Sequence, residues 1–282
     1  MKTCAAIGAV AVSLLAGSAA AADLPSAKVQ VASSPAVVSN WSGLYLGLNA
    51  GVAFGGGATQ TLGFDLSGIV VGPVNAAQMN GAGVGGRPGA FAGGGQIGWN
   101  WQSGSMVAGF EADIQGLADA DATRTQTGVV TIIIPLTTTV STTRRLDYLG
   151  TVRGRIGWDI APGWLLYATA GVAYGGVSAS TRTLQSNIVG FGVSAGGTSG
   201  IRAGWTGGAG VEWAFSRNWS AKLEYLHYDL GRMSYAQPAL ASIGAPIYAA
   251  VSTSFRETGN LVRAGVNYRF GGGGAPPIVA SY

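Results

Sequence analysis

The chain has one cysteine, Cys4, one histidine, His227, and few charges. Asp, Glu, Lys and Arg together make up 10% of its 282 residues, against roughly 25% in an ordinary soluble chain. A lone cysteine excludes a disulfide framework and a cysteine-built metal site. A lone histidine is too little by itself to argue for a haem site. The formal net charge of +4 is small and scattered, which argues against a nucleic-acid partner. Past residue 22 no apolar run approaches the ~18 residues of a membrane-spanning helix. There is no Gly-X-Y period, so collagen is excluded. Glycine and apolar residues are abundant instead: 48 glycines, 48% hydrophobic residues and a mean hydropathy of +0.32. Glycine is at about twice its usual frequency, and the chain is too apolar to remain disordered.

The opening "MKTCAAIGAVAVSLLAGSAAAADLPS" reads as an export signal. Lys2 is the positive head, residues 5–15 form a short apolar core, and Ala20-Ala21-Ala22 is a small-residue cleavage site. The cut is expected near Ala22, before Asp23, which makes 1–22 the signal and 23–42 a short periplasmic segment. Cys4 leaves with the signal, and it does not stand at the cut as lipoprotein processing would require. An exported, apolar, glycine-rich chain without a membrane helix has one common solution. In lipid every backbone polar group must be paired within the protein, so the alternative to helices is a closed barrel.

Strands that cross a membrane in such barrels run about 9–11 residues and alternate apolar-out with polar-in. Segments of this kind occur at 43–54, 91–101, 105–116, 146–158, 164–175, 203–215, 218–229 and 260–270. Tight turns at 102–104, 159–163 and 216–218 alternate with long connections at 55–90, 117–145, 176–202 and 230–259. Short periplasmic turns and long external loops are the pattern of outer-membrane barrels. The expected fold is therefore all-β: an eight-stranded antiparallel up-and-down transmembrane β-barrel over 43–270, with a short tail at 271–282.

In "GNLVRAGVNYRF", Val262, Val266, Tyr268 and Phe270 share one face, and Arg263, Asn267 and Arg269 share the other. The apolar face is expected to meet lipid. Trp99, Trp101, Trp158, Trp164, Trp213, Phe215, Trp219, Tyr268 and Phe270 all fall near the short turns. Amphipathic rings settle at membrane–water interfaces, so these nine predict a periplasmic aromatic girdle. The opposite phase puts nine charges in the lumen: Glu111, Asp113, Arg153, Arg155, Glu212, Lys222, Glu224, Arg263 and Arg269. An eight-stranded barrel has little more room than its own side chains need, and unpaired buried charges are costly. The nine form either a polar channel with an electrostatic gate or a salt-bridged core that holds the barrel shut. The sequence leaves both open. The fifth segment, "WLLYATAGVAY", is nearly apolar on both faces and has the least defined phase.

"NWSGLYLGLNAGVAFGGG" at 40–57, "GTVRGRIGW" at 150–158, "KLEYLHYDLG" at 222–231 and "NLVRAGVNYRF" at 260–270 carry a family resemblance, in order and spacing. The chain resembles the small outer-membrane porin-like barrels of alphaproteobacteria, which include immunogenic outer-membrane proteins related to the OmpA transmembrane domain. The start "AADLPS" is similar as well. The resemblance implies the outer membrane of a Gram-negative cell, surrounding outer-membrane lipid, and the barrel-assembly machinery as a partner. That machinery reads a terminal aromatic residue, a role for either Phe270 or Tyr282 here. The tail is too short for the peptidoglycan-binding domain of larger relatives. Some relatives bind haemin, but His227 alone does not carry that function here.

Other motifs are weaker. "GAGVGG" at 81–86 lacks the strand, helix and distal acid of a dinucleotide site. Asp119 and Asp121 lack the turn glycine and distal Glu of a calcium loop. His227, Asp229 and Ser234 are close in sequence, but spacing alone does not build a triad. "TIIIPLTTTV" at 131–140 is strongly β-prone, and it either extends a barrel hairpin above the membrane or forms a contact surface. No cofactor, no metal and no enzymatic activity are expected, and a monomer is favoured although the sequence names no oligomeric state. The expected function is a porin-like or structural envelope barrel. The alternative is a surface ligand-binding barrel, of the haemin-binding type that the resemblance suggests, or an adhesive barrel, acting through its four long external loops.

Overall fold

A computed structural model describes residues 40–55, 58–59, 61–65, 83–84, 87–118, 122–131, 135–188, 190–243 and 250–270. The expected signal, residues 23–39, Asp119, Asp121, most of 81–86 and the tail 271–282 lie outside the described residues.

Eight long strands make the wall: β1 (Gly43–Gly55), β2 (Arg87–Ser103), β3 (Met106–Ala118), β4 (Pro135–Ala161), β5 (Trp164–Asn187), β6 (Gly190–Ala214), β7 (Trp219–Gln237) and β8 (Ala250–Arg269). Each pairs antiparallel with the next in sequence. β1 also pairs with β8, from Tyr45 opposite Arg269 to Phe54 opposite Asn260. The ring is therefore closed, and no edge is left along this length.

The short connections sit at one end. β2 turns into β3 at Gly104-Ser105, and β4 into β5 at Pro162-Gly163. Gly104 and Gly163 have φ of 61° and 82°, which L side chains rarely adopt. β6 reaches β7 through residues 215–218.

At the other end the structure corrects the expected loops. The stretch 176–202 is not a loop: β5 and β6 continue in register until Asn187 faces Gly190. β4 has 27 residues and β5 has 24, more than twice what a membrane crossing requires. Ala122–Thr131 adds a strand against β4, Thr61–Asp65 against β8, and Ala239–Ile243 against β6. The β-prone 135–140 run lies in β4, extending a hairpin beyond the crossing. These segments are rich in Thr, Ser and Val. The outer face of the extended strands meets water rather than lipid, so they lack the clean apolar/polar alternation that marks the membrane portion.

Two register shifts flank the base of this extension, at Leu146/Tyr148 between β4 and β5 and at Asp229/Arg232 between β7 and β8. Gly231 supplies φ of 82° at the second. A bulge reverses which residues point inward. Thus Thr151 and Arg153 are buried below the first shift while Arg144 and Leu146 are buried above it.

The glycine content has a packing reason. Tyrosine rings pack against glycines of the adjacent strand: Tyr45 against Gly98, Tyr167 against Gly210, Tyr174 against Gly150 and Tyr228 against Gly259. A Cβ at Gly210 would sit 2.7 Å from Tyr167 Cζ, and one at Gly259 2.6 Å from Tyr228 Cζ. Gly210→Val should therefore displace the Tyr167 ring and destabilise the barrel by ~1–3 kcal/mol, the usual cost of overpacking. The measurement is the urea midpoint of the folded, heat-modifiable gel band, and an unchanged midpoint would contradict this packing.

Candidate functional site

All nine of the expected lumen charges are buried, each at 5% exposure or less. Eight of them converge. Arg153 on β4 bridges three carboxylates: Glu111 at 2.6 Å, Asp113 at 2.7 Å and Glu224 at 2.9 Å. Arg263 on β8 reaches the same three, at 3.3, 2.9 and 2.6 Å. Lys222 Nζ lies 2.8 Å from Glu111. Arg155 Nη2 lies 2.8 Å from Glu212. Four cations thus meet four carboxylates, so the cluster carries no formal net charge.

Neutral groups tie the remaining strands to the cluster. The Tyr45 hydroxyl on β1 donates to Glu111 at 2.7 Å, and the Tyr167 hydroxyl on β5 donates to Glu224 at 3.0 Å. Ser220 and Asn267 donate to Glu212 at 2.6 and 2.8 Å. Gln96 on β2 joins through Asn267 at 2.5 Å. Arg155 also lies over the Tyr167 ring, 4.0 Å from its centroid.

Arg269 departs from the expectation that it belongs to this network. It is buried, but no ion pair holds it among the described residues. Its guanidinium stacks 4.6 Å from the Trp41 ring centroid, and it donates to the carbonyls of Asn40 at 3.1 Å and Arg217 at 3.3 Å. It stands at the last position of β8, level with the mouth rather than with the charge cluster.

Trp41 is fully buried and packs with Val107, Leu165 and Tyr167. Its backbone N–H donates to Gln102 Oε1 at 2.7 Å. Residues 40–42 therefore enter the short-turn mouth. Sequence reasoning missed Trp41 because it precedes the first strand and belongs to no alternating pattern.

Two further interior layers were also missed. Beyond the ionic cluster lies an apolar layer of Leu146, Leu149, Val177, Tyr228, Leu230, Met233 and Phe255, continuous with Ala173 and Ala179. Beyond that, Arg144 and Glu257 pair at 3.4 Å with both side chains fully buried. Thr142, Thr181 and Tyr235 then form a hydrogen-bonded row, at 2.9 and 2.6 Å. Bulges, which fixed alternation does not anticipate, set the inward phase of Leu146, Arg144 and Thr142 on β4 and of Leu230 and Met233 on β7. Phe255 and Glu257 instead continue the inward phase of Arg263 into a stretch expected to be a loop.

The nine expected girdle residues all stand on the outer wall, each exposed, near the short turns. Their rings contact in sequence: Trp99 with Trp101 at 6.4 Å, Trp164 with Trp213 at 5.8 Å, Trp219 with Tyr268 at 5.1 Å and Tyr268 with Phe270 at 5.0 Å. Trp158 is 51% exposed and Phe215 48%. Phe110 adds a ring 5.5 Å from Trp101.

His227, Asp229 and Ser234 do not assemble. His227 lies on the outer wall against Trp205, with Nδ1 3.0 Å from Asn260 Oδ1. Asp229 is engaged by Arg256 and by the Gly231 N–H. Ser234 pairs with Ser254 at 3.0 Å.

A closed ring of eight strands, with charge inside and a belt of apolar side chains outside, defines a transmembrane β-barrel. The outer-membrane protein beta-barrel domain family model matches residues 7–270, and the chain belongs to that family. It is 32% identical over 267 residues to the 31 kDa outer-membrane immunogenic protein of Brucella melitensis, covering 91% of this chain and 95% of that one. It is 34% identical over 144 residues to the 22 kDa outer membrane protein of Rhizobium leguminosarum bv. viciae, covering 50% and 54% of the two chains. Among solved structures, the outer membrane protein OprG from Pseudomonas aeruginosa overlays 83% of this chain and 99% of its own, at 9% identity and a TM-score of 0.41. That score is too low to add to the assignment. The family and these relatives place the protein in the cell outer membrane.

Removing one member of the buried cluster strands its partners. Glu224→Gln leaves Arg153 and Arg263 each short of one carboxylate, at an expected cost of about 3–5 kcal/mol. Arg269→Leu loses chiefly its stacking on Trp41, expected at about 1–2 kcal/mol. Urea titration of the barrel folded in lipid vesicles, followed by tryptophan fluorescence, checks the order of the two. Equal effects would contradict the distinction between cluster and mouth.

Proposed function

We propose that this protein is a structural envelope barrel whose lumen is filled and non-conducting, and that its working surface is the tall β extension outside the membrane. One observation carries the reading: ionic, apolar and hydrogen-bonded layers are stacked across the interior, behind a mouth occupied by Trp41. A water-filled path would have to cross the apolar layer and break the balanced cluster. The short turns favour their end of the barrel as the periplasmic face, which in this reading puts the extension outside the cell. The relatives' name, immunogenic outer-membrane protein, fits a barrel with much exposed external surface. His227, with Asn260 and Trp205 as neighbours, is given no catalytic role in this reading.

The test is single-channel recording of the refolded protein in a planar bilayer, with heat-modifiable gel mobility confirming the fold. The folded barrel is expected to be silent. Discrete steps proportional to salt concentration, altered in Glu224→Gln, would replace this reading with a porin gated by the charge cluster.

A further inference from the structure

The outer wall of the extension carries a patch that the structural role does not use. Above Tyr148 and Tyr174, the last outward aromatic residues of β4 and β5, three rungs of outward side chains follow. In the first, Arg145 faces Ser178, which faces Ser199. In the second, Thr143 faces Ser180, which faces Gly197. In the third, Ser141 faces Arg182, which faces Ala195. Hydroxyls fill the middle, and the small residues on β6 leave it recessed. Two overlapping shallow depressions of about 470 and 500 Å³ lie there. The arginines stand on adjacent strands, Arg145 on β4 in the first rung and Arg182 on β5 in the third, four residues apart along the strands. At roughly 3.3 Å per residue, that is about 13 Å, the length of a short oligosaccharide.

Two arginines bring positive charge to the patch. Arg145 pairs with Asp147 at 2.5 Å, but both side chains are about half exposed, at 59% and 48%. Exposed pairs of this kind contribute little and exchange partners readily. Arg182 is exposed, and no carboxylate pairs with it among the described residues. Guanidinium groups bind phosphate and carboxylate in a forked geometry, and the intervening hydroxyls are donors and acceptors suited to sugar. The patch faces sideways from the barrel wall, starting one rung beyond Tyr148 and Tyr174. A ligand anchored in the outer leaflet would lie alongside it, whereas a ligand bound at the distal tip would not.

We propose that this shelf binds the phosphorylated, acidic sugar chain of the outer-leaflet glycolipid, lipopolysaccharide, with Arg145 and Arg182 gripping its anionic groups and Thr143, Ser178 and Ser180 contacting its sugars. The inference rests on the outward orientation of the extension, which is tested first. The expected mature chain has no cysteine, so Ser180→Cys on intact cells should react with a membrane-impermeant maleimide. Lack of labelling would sink the orientation and the shelf's partner with it.

Binding is then measured on the full-length barrel in nanodiscs, by native mass spectrometry with purified lipopolysaccharide. The wild type is expected to retain lipopolysaccharide. The Arg145→Ala/Arg182→Ala variant should lose at least tenfold in affinity while keeping its heat-modifiable mobility. Arg182→Gln alone, which breaks no ion pair among the described residues, should lose a smaller factor and serves if the double variant does not fold. Dephosphorylated lipopolysaccharide should bind weakly to the wild type. Undiminished binding by the arginine variants overturns the proposal. So does equal retention of phosphatidylglycerol, which would reduce the patch to general anion attraction. Equal affinity for a soluble acidic polysaccharide would also overturn it, pointing to an external glycan instead.

Discussion

In hydrocarbon no water is available to the peptide backbone, and that single constraint shapes this molecule. Every N–H and C=O crossing the membrane needs a partner in the protein. Antiparallel strands supply partners on both sides only if the last strand returns to the first, as β8 does along β1. Closure with eight strands leaves an interior little wider than its side chains. The other features follow from that narrowness. Tyrosine rings fit inside because glycines on the next strand leave room for them. Long charged side chains fit because they converge on one another.

Charge inside such a barrel must be neutralised locally, since solvation is lost and attraction is strong only at contact. Four carboxylates and four cations achieve this across β3, β4, β6, β7 and β8, and hydroxyl and amide groups connect β1, β2 and β5 to the same cluster. A network of this kind holds all eight strands in one register, which backbone pairing alone does not guarantee in a glycine-rich sheet. The apolar layer above it closes the space that the bulges at Leu146/Tyr148 and Asp229/Arg232 reorient. Ionic and apolar fillings are thus complementary, one fixing register and the other excluding water.

The membrane-crossing portion was legible residue by residue. Alternation in "VRGRIGW" assigned Arg153 and Arg155 inward and Ile156 and Trp158 outward, and those are their positions. The fifth strand was ambiguous because Leu165 and Tyr167 face the lumen as apolar plugs beside lipid-facing Leu166. Arg269 shared the inward phase of Arg263 yet sits apart from the cluster, because phase says which side a residue faces and not how high it stands. Trp41 lay before the periodic pattern. Arg144, Glu257 and Phe255 lay within expected loops, because their strands have water rather than lipid outside and so lack a strong apolar alternation.

By itself the sequence determined the class of protein, the number of crossing strands, the face of each alternating residue and the aromatic rim. These depend on local periodicity and on the solvent each face meets, both of which are written along one strand. Only the tertiary structure decided that the charges interlock as four against four, that an apolar layer and Trp41 fill the remaining bore, and that the strands continue far beyond the membrane. Those outcomes depend on the relative height of side chains from different strands and on bulges that reverse their direction. Both are set by the register of neighbours distant in the chain, which no single segment encodes.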